Sequence, residues 1–191
     1  MSYTIITVGK THSGKTTFGK EIKKSVPNTI LFDTDELGDF LKTTYPRMFD
    51  KDILPLNEKA ETAGKSLQLA TRFEILEKAS QTGLPLFISA AHASKESREN
   101  MLDLSHKYDR NLILIFLNYS EEILLERIKN SGRDKVCLVV SKTYENLLLN
   151  KQRKIFEPPT SDEADIFFEI TDETSLQQTK QKILNLIHST S

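Results

Sequence analysis

The chain has 191 residues, of which 38 % are hydrophobic and 28 % are charged, a composition typical of one globular domain spanning residues 1–191. A formal net charge of −1 excludes proteins that bind nucleic acid mainly through a strongly basic surface, but it is compatible with a local basic groove. No apolar run approaches the roughly 20 residues of a membrane-spanning helix. Signal-peptide features are missing before Lys10, and the single cysteine, Cys137, cannot form an internal disulfide. We therefore expect a cytoplasmic protein with no membrane association.

Short apolar runs alternate with longer amphipathic segments along the chain. This rhythm predicts strands that alternate with helices around a mostly parallel sheet. The runs are rich in β-branched residues, which favour extended backbone. The predicted strands are Tyr3 to Val8, Thr29 to Phe32, Leu84 to Ser89, Asn111 to Leu117 and Asp165 to Ile170.

The helices between these strands are predicted from apolar residues three or four positions apart, a spacing that marks one buried helix face. Leu69, Phe73 and Leu76 form such a face, and Leu124 and Ile128 form another. We expect both faces to pack on the sheet.

Polar residues before these patterns predict where helices begin. Ser94 and Ser120 are expected to cap helix N-termini, because a serine hydroxyl can accept hydrogen bonds from the first free backbone N–H groups. A last helix is predicted from about Thr174 to Ile187. Its start carries Thr174 and Gln177 at the spacing of a capping box.

The stretch FLKTTYPRMFDKDILPLNEKA, residues 40–60, breaks the rhythm with Pro46 and Pro55, and we expect a partly irregular insertion over one end of the sheet. Its aromatic residues could stack a base while its cations hold a phosphate. Alternatively the aromatics pack on the core and the cations are solvated, which is the favoured interpretation. The residues concerned are Phe40, Tyr45 and Phe49, with Lys42, Arg47 and Lys51.

The stretch GKTHSGKTT, residues 9–17, has the complete pattern G-x-x-x-x-G-K-[ST] between a predicted strand and a predicted helix. Its glycines let successive backbone N–H groups point at phosphate oxygens, and the N-terminus of the following helix adds positive partial charge. The pattern predicts a nucleoside triphosphate site with Mg²⁺, where Lys15 contacts the outer phosphates and Thr16 binds the metal. The predicted nucleotide-binding residues are Gly9, Lys10, Thr11, His12, Ser13, Gly14, Lys15, Thr16 and Thr17.

Two carboxylates end the second predicted strand, in LFDTDEL at residues 31–37. Ligands of an open parallel sheet bind beyond the carboxyl ends of its strands, so Asp33 and Asp35 are predicted to flank the phosphate site. One carboxylate could accept the proton of an acceptor hydroxyl while the other organises the metal's water shell. For either residue, capping the next helix is an equally weighted alternative.

Taken in order, GKTHSGKTT, FDTDEL, LFISAAHASKESREN, ILLERIKNSGRDK and KIFEPPTSDEAD resemble the small P-loop kinases, which include polynucleotide 5′-hydroxyl kinases and relatives that act on small molecules. The resemblance covers most of the chain. It implies a P-loop NTPase fold with three α/β/α layers, a five-stranded sheet in the order 2-3-1-4-5 and a helical lid at about 127–137. It also implies ATP as the nucleotide, Asp35 as the acceptor-activating base, and Arg127 and Arg133 as lid arginines that contact the transferring phosphates.

The sequence departs from this family in ways that bear on the acceptor. The third strand ends in ISAAHAS without the aspartate that many relatives carry, so Asp33 is expected to take the metal-organising role. Gly38 stands where the polynucleotide kinases place an arginine that holds the acceptor. Together these departures make a nucleic acid substrate less favoured, and the prediction of phosphoryl transfer is unaffected.

The predicted function is transfer of the γ-phosphate of ATP to an acceptor hydroxyl, on a nucleic acid 5′ end or a small molecule, with no obligate protein partner. A nucleotide-binding regulator or weak ATPase is the alternative from another class, and a kinase of nucleotide sugars is a third. The basic stretch NKQRK, residues 150–154, faces either the cleft or solvent.

Overall fold

A computed structural model describes residues 2–45, 57–132 and 143–189, with side chains described from residue 67 onward in the helix that begins at Asn57. In chain order the strands and helices are β1 (Ser2–Val8), α1 (Lys15–Ser25), β2 (Ile30–Asp33), α2 (Thr34–Thr44), α3 (Asn57–Ser80), β3 (Leu86–Ser89), α4 (Lys95–Lys107), β4 (Arg110–Leu117), α5 (Glu121–Asn130), α6 (Tyr144–Asn146), a π-helical turn (Leu147–Gln152), α7 (Arg153–Ile155), a 3₁₀ turn (Ser161–Glu163), β5 (Ile166–Ile170) and α8 (Glu173–His188).

The strands form one sheet in the order β2-β3-β1-β4-β5, and every neighbouring pair is parallel. This order confirms the prediction, and each strand begins and ends within two residues of its predicted bounds. Residues Asp33 and Ser89 are paired at the ends of β2 and β3, so both lie at the same edge of the sheet. That edge is also where β1 ends, at Val8.

Two hydrophobic clusters cover the two faces of the sheet, as the predicted three-layer arrangement requires. Side chains alternate along β1, so that Tyr3 and Ile5 belong to one cluster and Ile6 and Val8 to the other. Helices α1 and α8 cover the first face, while α3 and α4 cover the second. Because both faces are buried, the central strands are mostly apolar rather than alternately polar, and the threonines of β1, Thr4 and Thr7, are buried as well.

The predicted caps of α4 and α5 are confirmed, since Ser94 accepts from the Ser97 backbone N–H and Ser120 from that of Ile123. The predicted cap of α8 is wrong. Asp172 occupies that position, and its Oδ1 accepts from the Ser175 N–H at 2.7 Å. A carboxylate there also interacts favourably with the helix dipole.

The predicted buried face of α3 is only partly right. Leu76 is buried, but Leu69 is 52 % exposed and Phe73 is 41 % exposed, because this part of α3 packs beside α2 rather than on the sheet. Phe40 and Tyr45 are also exposed, which contradicts the favoured packing on the core for these two aromatics of the insertion.

Both ends of the predicted insertion at residues 40–60 are helical, because α2 continues to Thr44 and α3 begins at Asn57. Among the described residues, no helix is long and apolar enough to cross a membrane. Several sequence predictions concern residues outside the described ranges, namely Pro46, Arg47, Phe49, Lys51, Pro55, Arg133 and Cys137.

Candidate active site

The loop between β1 and α1 needs glycine at two positions for steric reasons. Gly14 has φ +97° at the N-terminus of α1, a left-handed conformation that glycine adopts without strain. A Cβ on Gly9 would lie 2.6 Å from the Ser13 hydroxyl and 3.1 Å from the Leu117 carbonyl oxygen. The backbone therefore closes tightly around the start of α1, as a phosphate-binding loop requires.

Lys15 folds back into this loop. Its ammonium donates to the carbonyl oxygens of Gly9 at 3.0 Å and Lys10 at 2.8 Å, and to the Ser13 hydroxyl at 3.3 Å. Burial lowers the pKa of Lys15 to about 8, although the nearby carboxylates of Asp35 and Asp33 favour its charged form. A phosphate entering the loop would add the negative charge that this buried ammonium needs.

The Thr16 hydroxyl sits among oxygen atoms at the end of the sheet. It donates to Asp33 Oδ2 at 2.7 Å and lies 3.2 Å from the Ser89 hydroxyl. The other oxygen of Asp33 accepts from the backbone N–H groups of Asp35 at 2.9 Å and Glu36 at 3.3 Å. Asp33 therefore caps α2, which is one of the alternatives that the sequence left open, and contacts Thr16 at the same time.

These hard oxygen donors fit Mg²⁺, which prefers one or two protein ligands together with phosphate and water oxygens. Within the described ranges, no group of three or more His, Cys, Asp or Glu side chains could hold a metal by itself. The sequence prediction missed Ser89, which ends β3 near the position where the sequence lacks the aspartate of many small P-loop kinases. Only the pairing of Ser89 with Asp33 in the sheet shows that Ser89 lies at the site.

Asp35 is exposed on the first turn of α2 and faces the same cleft as the phosphate-binding loop. The cleft has a volume of about 470 Å³. Besides Asp35, its lining includes Lys15, Thr16, Lys20, Ser89, Ala91 and Gln152. The structure thus brings Asp35 together with Lys15 and Thr16, which are the three residues predicted for a base, a phosphate contact and a metal ligand.

Arg127 lies on the other side of the loop, in a second pocket of about 320 Å³. Its guanidinium stacks over the Tyr119 ring, 4.0 Å from the centroid, and donates to the carbonyl oxygens of His12 at 3.3 Å and Ser13 at 3.2 Å. The pocket also contains Gly14, Thr17, Phe18, Glu21, Glu173, Leu176 and Gln177. Arg127 thus borders a pocket that does not include Asp35.

The segment after α6 supports the loop from outside. Gln152, at the end of the π-helical turn, accepts from the Thr11 backbone N–H at 2.8 Å. Lys10 contacts Glu121 at 2.9 Å, and Arg153 pairs with the same carboxylate. Hydrogen bonds from Arg153 and Lys10 lower the pKa of Glu121 to about 2. Part of the NKQRK stretch therefore faces the loop, and Gln152 is a site residue that the sequence prediction missed.

Gly38, which replaces the arginine expected from the resemblance, is buried where α2 meets α3. A Cβ there would lie 3.1 Å from the Gln68 side-chain nitrogen. The space beside Gly38 is therefore filled from α3, a contact between helices that motif spacing could not indicate.

No family model matches the sequence, and no curated protein matches it. Solved structures with a similar fold include a gluconokinase from Sinorhizobium meliloti, with a TM-score of 0.61 and 17 % identity, covering 99 % of this chain and 97 % of that chain. Kti12 from Chaetomium thermophilum, in complex with ADP-AlF3, has a TM-score of 0.60 and 15 % identity, with coverage of 96 % and 98 %. The APS kinase of Mycobacterium tuberculosis, in complex with AMPPNP and APS, has a TM-score of 0.56 and 13 % identity, with 98 % coverage of both chains. The chain thus has the P-loop NTPase fold found in small P-loop kinases.

Proposed function

We propose that this protein is an ATP-dependent kinase that transfers the γ-phosphate to a hydroxyl group of an acceptor. The observation that carries the proposal is the position of Asp35, which lines one cleft with Lys15 and Thr16. A carboxylate beside a phosphate-binding loop is suited to accept the proton of an attacking hydroxyl. The fold shared with a gluconokinase and with an APS kinase bound to AMPPNP supports this proposal.

ATP would bind with its phosphates against the backbone N–H groups of residues 9–17 and its base in the pocket beside Arg127. The ammonium of Lys15 would exchange its contacts with the Gly9 and Lys10 carbonyls for phosphate oxygens. Arg127 already holds two loop carbonyls and presents the flat face of its guanidinium on Tyr119. Planar stacking of this kind suits a nucleobase.

Mg²⁺, when bound, would neutralise charge on the β- and γ-phosphates. Thr16 would hold it directly, with Asp33 and Ser89 within hydrogen-bonding reach of the Thr16 hydroxyl. Asp33 keeps the Thr16 side chain oriented while its second oxygen caps α2, so this carboxylate links the metal ligand to the helix that carries Asp35.

In the transfer step, the acceptor oxygen forms a bond to the γ-phosphorus while the bond from that phosphorus to the β–γ bridging oxygen breaks. Asp35 takes the hydroxyl proton, and ADP leaves. Lys15 stabilises the negative charge that develops on the phosphate oxygens. Arg133, from the resemblance, is proposed to add positive charge over the γ-phosphate, with Arg127 fixing the loop from the opposite side.

The test is transfer of labelled γ-phosphate from ATP with Mg²⁺ to a panel of 5′-hydroxyl oligonucleotides, nucleosides, sugars, sugar acids and nucleotide sugars. We expect Lys15→Ala and Asp35→Asn to lose transfer, with ATP binding retained in Asp35→Asn. Asp39→Asn is the matched control, because Asp39 is exposed on the same helix. Equal transfer by Asp35→Asn would show that another group is the base. Label released only as free phosphate, whatever acceptor is added, would favour the regulator or weak ATPase.

A further inference from the structure

Within the part of the chain that the structure describes, Arg72 Nε on α3 and His92 Nε2 just after β3 are buried side-chain nitrogens that have no hydrogen-bond partner. Among the described residues, no acidic side chain or hydrogen-bond acceptor contacts the Arg72 guanidinium. A buried donor without a partner costs free energy, and a buried cation costs more. Each of these two groups would therefore be stabilised by a ligand that accepts its hydrogen bond.

Arg72 lines a pocket of about 260 Å³ between α2 and α3, together with Thr34, Leu37 and Gln68. Thr34 lies directly between Asp33 and Asp35 in the chain, and its hydroxyl donates to the Ser89 carbonyl at 3.3 Å. The pocket therefore begins at the same edge of the sheet as the cleft that contains Asp35. A ligand seated beside Arg72 would be close to the proposed base.

His92 is only 4 % exposed and has φ +42°, a left-handed backbone conformation. Hydrogen bonds to its neighbours hold it in place. Its carbonyl accepts from Arg98 at 3.0 Å, and Arg98 is held by the buried carboxylate of Glu163. Its Nδ1 lies 3.1 Å from the Ser97 hydroxyl. When that hydroxyl donates to Nδ1, Nε2 carries the proton and is a donor with nothing to donate to.

Three positively charged side chains surround His92, and this environment favours an anionic ligand. Burial, together with the positive charges of Arg72, Arg98 and Lys15, lowers the pKa of His92 to about 3, so the imidazole is neutral at pH 7. Glu163 balances Arg98, and the loop carbonyls hold Lys15. Arg72 lacks an equivalent partner among the described side chains.

We propose that Arg72 and His92 form a subsite for an anionic group, a carboxylate or a phosphate ester, carried by a small-molecule acceptor whose hydroxyl reaches Asp35. This inference rests on the proposed kinase activity and names the class of its acceptor. The guanidinium supplies charge and two parallel donors, and the neutral imidazole supplies a third donor. A small molecule fits better than a polymer, because the pocket is only about 260 Å³.

The first experiment measures transfer from ATP to matched acceptors that differ in charge, gluconate against glucitol and glycerol phosphate against glycerol. We expect transfer to an anionic member of these pairs. Arg72→Gln should raise the KM for that acceptor about 10- to 100-fold, the usual effect of a lost charged hydrogen bond, and leave the KM for ATP unchanged. Arg72→Lys should restore part of the loss, whereas Lys78→Gln, an exposed change on the same helix, should have no effect.

The second experiment does not need kinase activity. NMR follows the histidine side-chain nitrogens during titration with inorganic phosphate or with acetate. The titrations use Lys15→Ala, which removes the lysine of the phosphate-binding loop. The His92 signal is assigned by its loss in His92→Gln. We expect saturable shifts of the His92 signal with at least one anion, and no shifts when Arg72→Gln is added.

These outcomes separate the two proposals. Anion-dependent shifts without any transfer would retain the subsite and reject the kinase. Transfer without shifts, or with shifts that persist in Arg72→Gln, would reject the subsite alone. Transfer to neutral polyols only, or to oligonucleotides only with no effect of Arg72→Gln, would also overturn it.

Discussion

The buried ammonium of Lys15 should make folding stability depend on pH in an unusual direction. Its pKa is lowered from 10.5 to about 8 in the folded chain. Between those values the folded protein has lost a proton that the unfolded chain still holds, so the contribution of Lys15 to stability rises with pH. From about pH 7.5 to about pH 9.5 the gain integrates to roughly 2 kcal/mol, and partial solvent exposure of the side chain reduces it to between about 1 and 2 kcal/mol.

The assay is urea unfolding of the wild type and of Lys15→Met, followed by far-UV circular dichroism at both pH values. The difference in unfolding free energy, wild type minus variant, should increase by about 1 to 2 kcal/mol at the higher pH. Lys23→Met is the control, because Lys23 is exposed on the same helix. A difference that is flat or falls with pH would refute the argument that burial governs this ammonium.

The same reasoning predicts proton uptake when a nucleotide binds. At about pH 8, close to the pKa of Lys15, about half of the free protein lacks this proton, and bound phosphates should restore it. Calorimetry of ATP binding in buffers of different ionisation enthalpy should report about half a proton taken up per site. Heats that are independent of the buffer would contradict the prediction.

Other substitutions test the packing around the site. Glu163→Gln should cost about 3 to 5 kcal/mol of unfolding free energy, because it leaves the buried Arg98 without its counter-charge, and urea unfolding measures this directly. Gly19→Ala should lower the free energy of unfolding by about 1 to 3 kcal/mol, since its Cβ would lie 2.7 Å from the Phe87 ring. Gly38→Ala should lower it less, because its Cβ would contact only the flexible end of Gln68. Equal melting temperatures of the two variants would contradict this contrast. Glu121→Gln should remove a stabilisation that exists above pH 4.5 and disappears as the pH falls through about 2. Its size should stay below about 1 kcal/mol because the partner Arg153 is exposed to solvent, and a wild-type advantage that grows on acidification would argue against it.

Much of the fold could be predicted because it depends on neighbours in the chain. The five strands follow from apolar runs, and the caps at Ser94 and Ser120 follow from residues three positions apart. The phosphate-binding loop is also local, since both glycines and Lys15 belong to one continuous stretch. Parallel order then followed from the alternation of strands and helices and from the resemblance, without any knowledge of individual contacts.

The remaining site depends on residues that are far apart in the chain. Gln152 contacts Thr11 across 141 positions, and Ser89 reaches Thr16 across 73. Nothing in the spacing of these residues indicates that they meet, because the sheet order alone decides which strand ends are adjacent.

The amino-acid sequence by itself determined the strands, the phosphate-binding loop and the carboxylates that follow β2. Only the tertiary structure decided that Leu69 and Phe73 are exposed. It also decided that Asp33 accepts a hydrogen bond from Thr16 while it caps α2. It alone also left the Nε atom of Arg72 and the Nε2 atom of His92 buried without hydrogen-bond partners. The physical reason is that periodicity reports which side of an element is apolar, whereas packing between elements decides which polar groups lose water and what remains to satisfy them.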